Sequence, residues 1–346
     1  MDKGIYFSEE DLVNLLSSKN KIFFQKTLAL TKRFFLKKVF LRGLIEFSNI
    51  CEKNCYYCGL RKENKKTRYC MTEREIINTA LWAYNNRYGS IMLQSGEVNS
   101  SSRIAFIIKI IKKIKKQTKN KLGIALCLGE LRKETYLDFF KAGAHRYLLR
   151  IETSNPQLYQ KLHPANHSYE NRIKCLEILK STGYQTGTGI IIGIHGQTIT
   201  DLAKDLLFFK KIDIDMIGMG PYIPHPETPL FKKTVSLNGF SLCLKMIVLI
   251  RLMMPDINIA ATTAMQASHP KGIELAIQAG ANVIMPIVTP LKYCKDYSLY
   301  LDKPCIDETS STFLNYLTKR MQVIGRELAF DQWGDPLHYY KRQKIC

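Results

Sequence analysis

Leu41-Arg-Gly-Leu-Ile-Glu-Phe47-Ser-Asn-Ile-Cys51-Glu-Lys-Asn-Cys55-Tyr-Tyr-Cys58-Gly59 is the stretch from which the architecture can be read outward. A short apolar run, Leu41–Phe47, feeds directly into three cysteines spaced C-x₃-C-x₂-C. The run has the length and composition of a buried strand, and ligand-type residues stand at its C-terminal end. The same rhythm continues along the chain. Further strands are predicted at Ser90–Gln94, Gly123–Leu128, Arg146–Ile151, Gly187–Ile192, Met216–Tyr222, Asn258–Thr263 and Asn282–Pro286. Helices are predicted between them at Glu73–Tyr84, Ser102–Lys116, Lys133–Ala142, Tyr169–Thr182, Ile199–Lys211, Leu242–Met253 and Pro270–Ala279. Gly143, Gly183 and Gly280 stand where helices close.

Eight strand–helix units with apolar strands imply an α/β fold with a parallel sheet covered by helices, most simply a (β/α)₈ TIM-type barrel. A doubly wound open sheet would need fewer units or a domain break, and no break is visible. Ahead of the barrel two helices are expected. The first opens at Ser8 with Asp11 three residues on, and the second runs roughly from Lys21 to Lys38. The expected division is residues 1–38 as N-terminal helices packed on the barrel, 39–325 as the barrel, and 326–346 as a C-terminal tail. Polar residues gather just after the strands: Cys51, Gln94-Ser95-Gly96-Glu97, Gly129-Glu130, Arg150 and Glu152, Gly193, His225, Thr262-Thr263 and Met285. In a barrel all of these open onto the C-terminal face, where active sites form.

Composition narrows the class. The chain has 346 residues, 46% hydrophobic and 23% charged, with no low-complexity tract, which excludes a disordered chain. No apolar run is long enough to cross a bilayer, and Met1-Asp2-Lys3-Gly4 lacks a signal-peptide pattern, so a cytoplasmic protein is expected. The formal charge is 51 − 30 = +21. Its basic stretches, such as Lys109-Ile-Ile-Lys112-Lys113-Ile-Lys115-Lys116, interleave Lys with apolar residues as amphipathic helices do. The charge therefore reads as solvated helix exteriors, and neither nucleic acid nor membrane is expected as a partner. The competing reading, a basic zinc-containing nucleic-acid binder, predicts salt-dependent binding and colourless protein.

Ten cysteines in such a chain read as ligands, packing residues or reactive thiols rather than disulfides. Cys51, Cys55 and Cys58 cluster; the other seven are scattered and expected mostly as small buried hydrophobes. Three thiolates on one short loop can hold three corners of a cubane iron–sulfur cluster, leaving the fourth iron open to a small chelating molecule. Structural zinc would want a fourth ligand in paired spacing; no second pair follows, and Cys70 stands alone. Arg150 and Glu152, flanking Ile151, share one strand face. The run Gly187-Thr-Gly189-Ile-Ile-Ile-Gly193-Ile-His-Gly196 lacks the G-x-G-x-x-G spacing of a dinucleotide site.

The C-x₃-C-x₂-C loop with an aromatic, Tyr57, before its third cysteine resembles the signature of the radical S-adenosylmethionine (SAM) enzymes. That resemblance implies one 4Fe–4S cluster on Cys51, Cys55 and Cys58, SAM as cofactor, and release of a 5′-deoxyadenosyl radical. Further motifs resemble the HydE family, the radical-SAM maturases of FeFe-hydrogenase, with biotin synthase and methylornithine synthase as relatives. They are Arg146-Tyr-Leu-Leu-Arg150-Ile-Glu152-Thr153, Leu158-Tyr159-x-x-Leu162-His163-Pro164, Gly218-x-Gly220-Pro221-Tyr-Ile-Pro224-His225-Pro226, Ala261-Thr262-Thr263-Ala264 and Gly280-Ala-Asn-Val-Ile-Met285-Pro286. The resemblance runs from about Leu41 to Pro304.

It implies that Ser95, Gly96 and Glu97 contact the SAM amino group, with Tyr57, Glu152, Arg172, Met216 and Ile223 also around SAM. Gln94, Arg146, Arg150, Thr262, Thr263 and Met285 would line a substrate cavity closed by Tyr297 and Tyr300. The substrate it implies is a small organometallic or amino-acid-derived molecule, supplied by another hydrogenase maturase, with a reducing electron donor as further partner. A SAM-dependent mutase of the methylornithine-synthase kind, or another radical enzyme related to biotin synthase, is the alternative within enzymes. Two departures from the pattern stand out. Ile306–Tyr316 contains no cysteine after Cys305, so no second cluster is expected. Ala125 falls where a cavity-lining hydroxyl is expected, which bears on the substrate rather than on the type of reaction.

Overall fold

A computed structural model describes residues 4–18, 23–305 and 311–343. The start expected at Lys21, residues 306–310 of the cysteine-free stretch and Cys346 lie outside the described residues. The chain enters through α1 (Glu9–Ser17) and α2 (Phe23–Phe35). The Ser8 hydroxyl accepts from Asp11 N while the Asp11 carboxylate accepts from Ser8 N, which satisfies two otherwise orphaned donors at the start of α1.

Strand–helix units follow. β1 (Lys38–Ser48) leads to α3 (Glu73–Asn85), β2 (Ser90–Ser95) to α4 (Ser101–Gln117), and β3 (Gly123–Cys127) to α5 (Lys133–Ala142). β4 (Arg146–Leu148) precedes α6 (Pro156–Leu162) and α7 (Tyr169–Thr182); β5 (Gln185–Thr188) precedes the two-residue β6 (Ile191–Ile192) and α8 (Ile199–Lys211). β7 (Met216–Pro221) leads to α9 (Gly239–Met253), and β8 (Asn258–Ala261) to α10 (Thr263–Ser268) and α11 (Gly272–Ala279). β9 (Val283–Ile284), α12 (Leu291–Cys294), α13 (Ser311–Val323), β10 (Glu327–Ala329) and α14 (Leu337–Gln343) complete the order. The entry helices lie on the outside, α1 against α8 and α2 against α9 and α11.

The strands β1-β2-β3-β4-β5-β7-β8-β9 are parallel neighbours, and β9 pairs back onto β1 through Phe40↔Val283 and Leu41↔Ile284. The sheet therefore closes as the expected eight-stranded barrel. Each of the eight predicted strands overlaps one barrel strand; β8 and β9 stop short of the expected ends, with Thr263 already in α10, and β4 and β5 depart furthest. β5 stops at Thr188 because the chain passes so close to β7 at Gly189 that a Cβ there would lie 1.9 Å from Gly218 O. The pairing resumes as β6 against β7. β4 ends at Leu148 instead of Ile151, and the chain then turns through Glu152, whose φ of +65° is a left-handed conformation that costs a non-glycine residue energy.

Helices cover the barrel with their apolar faces. α4 buries Ile107, Ile110, Ile111 and Ile114, each worth about 1.5–3 kcal/mol of transfer free energy, and leaves Lys112, Lys113 and Lys116 exposed. Lys115 departs from that pattern. It is buried, bonds Leu122 O at 3.0 Å, and lies 4.6 Å from the Trp333 ring centroid.

The tail closes the N-terminal end of the barrel. β10 runs beside the start of β1, Gly334 O accepts from Asn258, and Arg342 pairs with Asp215. The cysteine expectation needs a correction: Cys294 and Cys305 form a disulfide, Cα–Cα 5.7 Å, because the chain after α12 folds back on itself. Cys175 and Cys243 are buried, whereas Cys70 is exposed. Among the described residues no helix is long and apolar enough to cross a membrane.

Candidate active site

β1 delivers the cysteine loop to the C-terminal mouth of the barrel, and backbone bonds hold it there. Glu52 N donates to Glu97 O, Tyr56 N to Leu162 O and Gly59 N to Leu299 O, at 2.8, 2.9 and 2.9 Å. Arg68 clamps the loop by donating to the carbonyls of Asn49, Leu60 and Arg61. At Gly96 a Cβ would fall 2.6 Å from Cys51 Cβ and 2.3 Å from Ile50 O, so only glycine lets the end of β2 lie against the loop. Burial raises all three thiols, Cys58 to about 12. Thiolates there need a cationic centre to stabilise them.

Cys51, Cys55 and Cys58 border a cavity of about 360 Å³ that runs down the barrel axis. The structure places Tyr57, Ser95, Gly96, Glu97, Glu152, Arg172, Met216 and Ile223 on its wall, together with Gln94, Arg150, Thr262, Thr263, Met285, Tyr297 and Tyr300. Near the loop the wall is ionic. Lys53 bridges Glu97 at 3.1 Å and Glu130 at 3.6 Å. Arg172 donates to Glu130 and to Arg150 O. Burial raises the Glu97 carboxyl despite Arg172 and Lys53. Burial also opposes the charge on Glu130, but the adjoining Arg172 guanidinium outweighs it and holds that carboxyl below its usual range. Arg150 Nε donates to both oxygens of Glu152, at 2.9 and 3.1 Å, and its two terminal nitrogens go to Gly218 O and Ile190 O.

Arg146 lies elsewhere. It is fully buried at the start of β4, off the cavity wall, where Nε donates to Gln185 and Nη2 to Trp333 O and Asp335, while Nη1 has no hydrogen-bond partner among the described residues. Ala125 packs inside the barrel against Ile287 and against Leu44 and Met92 of that wall.

Sequence reasoning missed several wall residues: Arg42, Glu46, Lys53, Cys127 and Lys303. Arg42 and Glu46 had a signal. They flank Leu44 at alternate positions of an otherwise apolar strand and so share its inward face. Lys303 had none, yet it makes a buried 2.8 Å pair with Glu46. Among the described residues, Arg42 Nη2 and Glu46 Oε1 have no hydrogen-bond partner.

Three thiols on one loop, at the mouth of a closed parallel barrel, define a radical SAM enzyme, and residues 45–209 match the Radical SAM superfamily. The chain is 44% identical to the [FeFe] hydrogenase maturase subunit HydE of Thermotoga maritima over 95% of its own length and 93% of that protein, and it belongs to the HydE family. It is 27% identical to 3-methylornithine synthase of Methanosarcina acetivorans, over 94% of this chain and 92% of that one. A solved methylornithine synthase shares the fold with a TM-score of 0.82 at 24% identity, covering 99% of this chain and 98% of that one. The hydrogenase maturase HydG shares it at 0.78 and 18%, covering 94% and 73%. Enzymes of this superfamily use a 4Fe–4S cluster and SAM. The residues present fit both groups, with three soft ligands on a loop that only Gly96 lets β2 approach and paired carboxylates and guanidiniums along the adjoining wall.

Proposed function

We propose that this chain generates a 5′-deoxyadenosyl radical and directs it onto a small iron-bound, amino-acid-derived ligand during assembly of the FeFe-hydrogenase diiron centre. What carries the reading is the three-thiol loop opening on the barrel cavity in a chain 44% identical to a HydE maturase. Cys51, Cys55 and Cys58 would hold three irons of the cluster, which supplies the single electron that splits SAM into methionine and the radical.

The protein's share is positioning and exclusion of water. Ser95, Gly96 and Glu97 would seat the SAM amino group beside the loop. Tyr57, Met216 and Ile223 would flank the rest of the cofactor, with Glu152 and Arg172 giving the wall its alternating charge. Because the Arg150–Glu152 pair is held by two backbone carbonyls, it keeps its orientation without a ligand, which is the preorganisation that positioning requires. Further down, Gln94, Arg150, Thr262, Thr263 and Met285 would hold the substrate, under Tyr297 and Tyr300. Gln94 donates to Tyr297 OH at 3.2 Å, and Lys303 lies 5.4 Å from that ring's centroid. This cover would keep water from the radical. With Arg146 committed to the tail, the anionic group of a substrate falls to Arg150. A low-potential electron donor and the maturase that supplies the substrate are the partners this chemistry needs.

Cell-free hydrogenase maturation with this protein as the sole HydE-type component tests the proposal, with Cys58→Ser as control. Active hydrogenase from the unaltered chain alone supports it. Release of 5′-deoxyadenosine without maturation would sink the proposed substrate and redirect the search to free amino acids.

A further inference from the structure

Behind the cysteine loop, the turn between α6 and α7 carries two histidines that the radical chemistry does not use. Cys55 Sγ, one ring nitrogen of His163 and one of His167 all lie within 4.8 Å of one another. His163 and His167 are 2% and 6% exposed. His163 Nδ1 lies 2.8 Å from Tyr159 O. A carbonyl only accepts, so Nδ1 carries the proton and Nε2 keeps its lone pair. Metal-binding histidines are held in this way, one nitrogen donating to a carbonyl and the other free to ligate. That Nε2 faces the Tyr57 hydroxyl at 3.2 Å, a contact that rotation of the hydroxyl hydrogen can release. His167 stacks on His163 with centroids 5.4 Å apart, and its amide is pinned to Pro164 O at 2.9 Å. Its Nδ1 is buried without a hydrogen-bond partner among the described residues, a costly state for a polar atom that a ligand would relieve.

We propose that in the chain without its cluster, Cys55, His163 and His167 form a site for one divalent zinc-class ion. One thiolate and two imidazoles are a three-ligand set of the type zinc takes with its fourth position open. Binding replaces the Cys55 S–H bond with an S–Zn bond and releases one proton to solvent. Cys55 is also one of the three cluster ligands, so the ion and the cluster exclude each other. Zinc binds nitrogen and sulfur sites more tightly than ferrous iron does, so a newly folded chain that meets zinc first is diverted from cluster assembly.

The test uses the full chain, free of cluster, under anaerobic conditions, with Co²⁺ as the visible probe. Cys51→Ala/Cys58→Ala removes the competing three-thiol site and leaves the proposed one intact. This variant is expected to take up one equivalent of Co²⁺ with a thiolate charge-transfer band, which one equivalent of Zn²⁺ abolishes. Adding His167→Ala should weaken uptake more than about tenfold. His163→Ala is a second variant, scored only if its circular dichroism matches the parent. No Co²⁺ uptake by the cysteine variant, or equal uptake with and without His167, overturns the proposal. The titration reads no radical chemistry, so its failure is separate from failure of the maturase reading.

Discussion

Arg146 opens β4 and Arg150 stands four residues on, just past the strand's end at Leu148, and the two meet opposite environments. Arg150, at the C-terminal mouth, faces the cavity with Glu152, whose backbone is held in a left-handed conformation. Arg146, at the N-terminal end, is sealed in by Trp333, Asp335 and Gln185 from the tail and the neighbouring strand. The pair at the mouth sits beside open space and keeps a strained residue; the one at the base has no space and no strained partner. In a parallel barrel every strand runs the same way, so one end collects loops that can carry chemistry and the other is left for stability. An arginine's role is then set by which end of its strand it occupies.

The sharpest division between the ends comes from the loop itself. Cys58→Ser should lose the cluster and drop SAM cleavage by at least about a thousandfold, as removal of a group the chemistry cannot do without does, with thermal stability little changed. Iron analysis and 5′-deoxyadenosine release measure this. At the opposite end, Asp335→Ala strands the buried Arg146 guanidinium and should cost about 3–5 kcal/mol of unfolding free energy, read by urea denaturation. Full stability with lost maturation would return Arg146 to the substrate.

Glu152→Gln keeps the shape at the mouth but removes the charge facing Arg150. SAM cleavage should fall about tenfold to a hundredfold, in line with loss of one positioning contact, without a comparable change in stability. An unchanged rate would reduce the Arg150–Glu152 pair to a structural one.

The smallest effect belongs to the tail. Burial alone would lower the His338 pKa, but hydrogen bonds to Asp213 and Asp256 outweigh it and raise it to about 9. A pKa raised on folding stabilises fully below the unfolded value of about 6.5 and is lost as pH rises through about 9. Between those values the protein should progressively lose stability, with the tail amides exchanging first by hydrogen–deuterium exchange. His338→Gln should flatten that slope; a slope unchanged in the variant would assign it to other groups.

The zinc-class site affects how metal analyses are read. A chain handled without its cluster can carry zinc on Cys55, His163 and His167 and still be a radical enzyme, so finding zinc does not make it a zinc protein. Iron and sulfide in anaerobically prepared protein separate the two.

Local periodicity alone determined a great deal. Most barrel strands lie within short apolar runs buried on both faces, β5 with Gln185-Thr-Gly-Thr188 being the polar exception, and most helices are amphipathic, so the eight-unit barrel and its C-terminal ring of polar residues are legible in order. The cysteine loop is equally local: three ligands within eight residues need no long-range information to be recognised. What barrel closure decided lies between residues far apart in sequence. The hydrogen bond joining Arg146 to Asp335 spans 189 residues, and that between Tyr57 and His163 spans 106. The pairing of Lys303 with Glu46 likewise arises only when the chain folds back over its own mouth. Periodicity reports whether a residue is buried; which distant partner it meets is set by how the strands close.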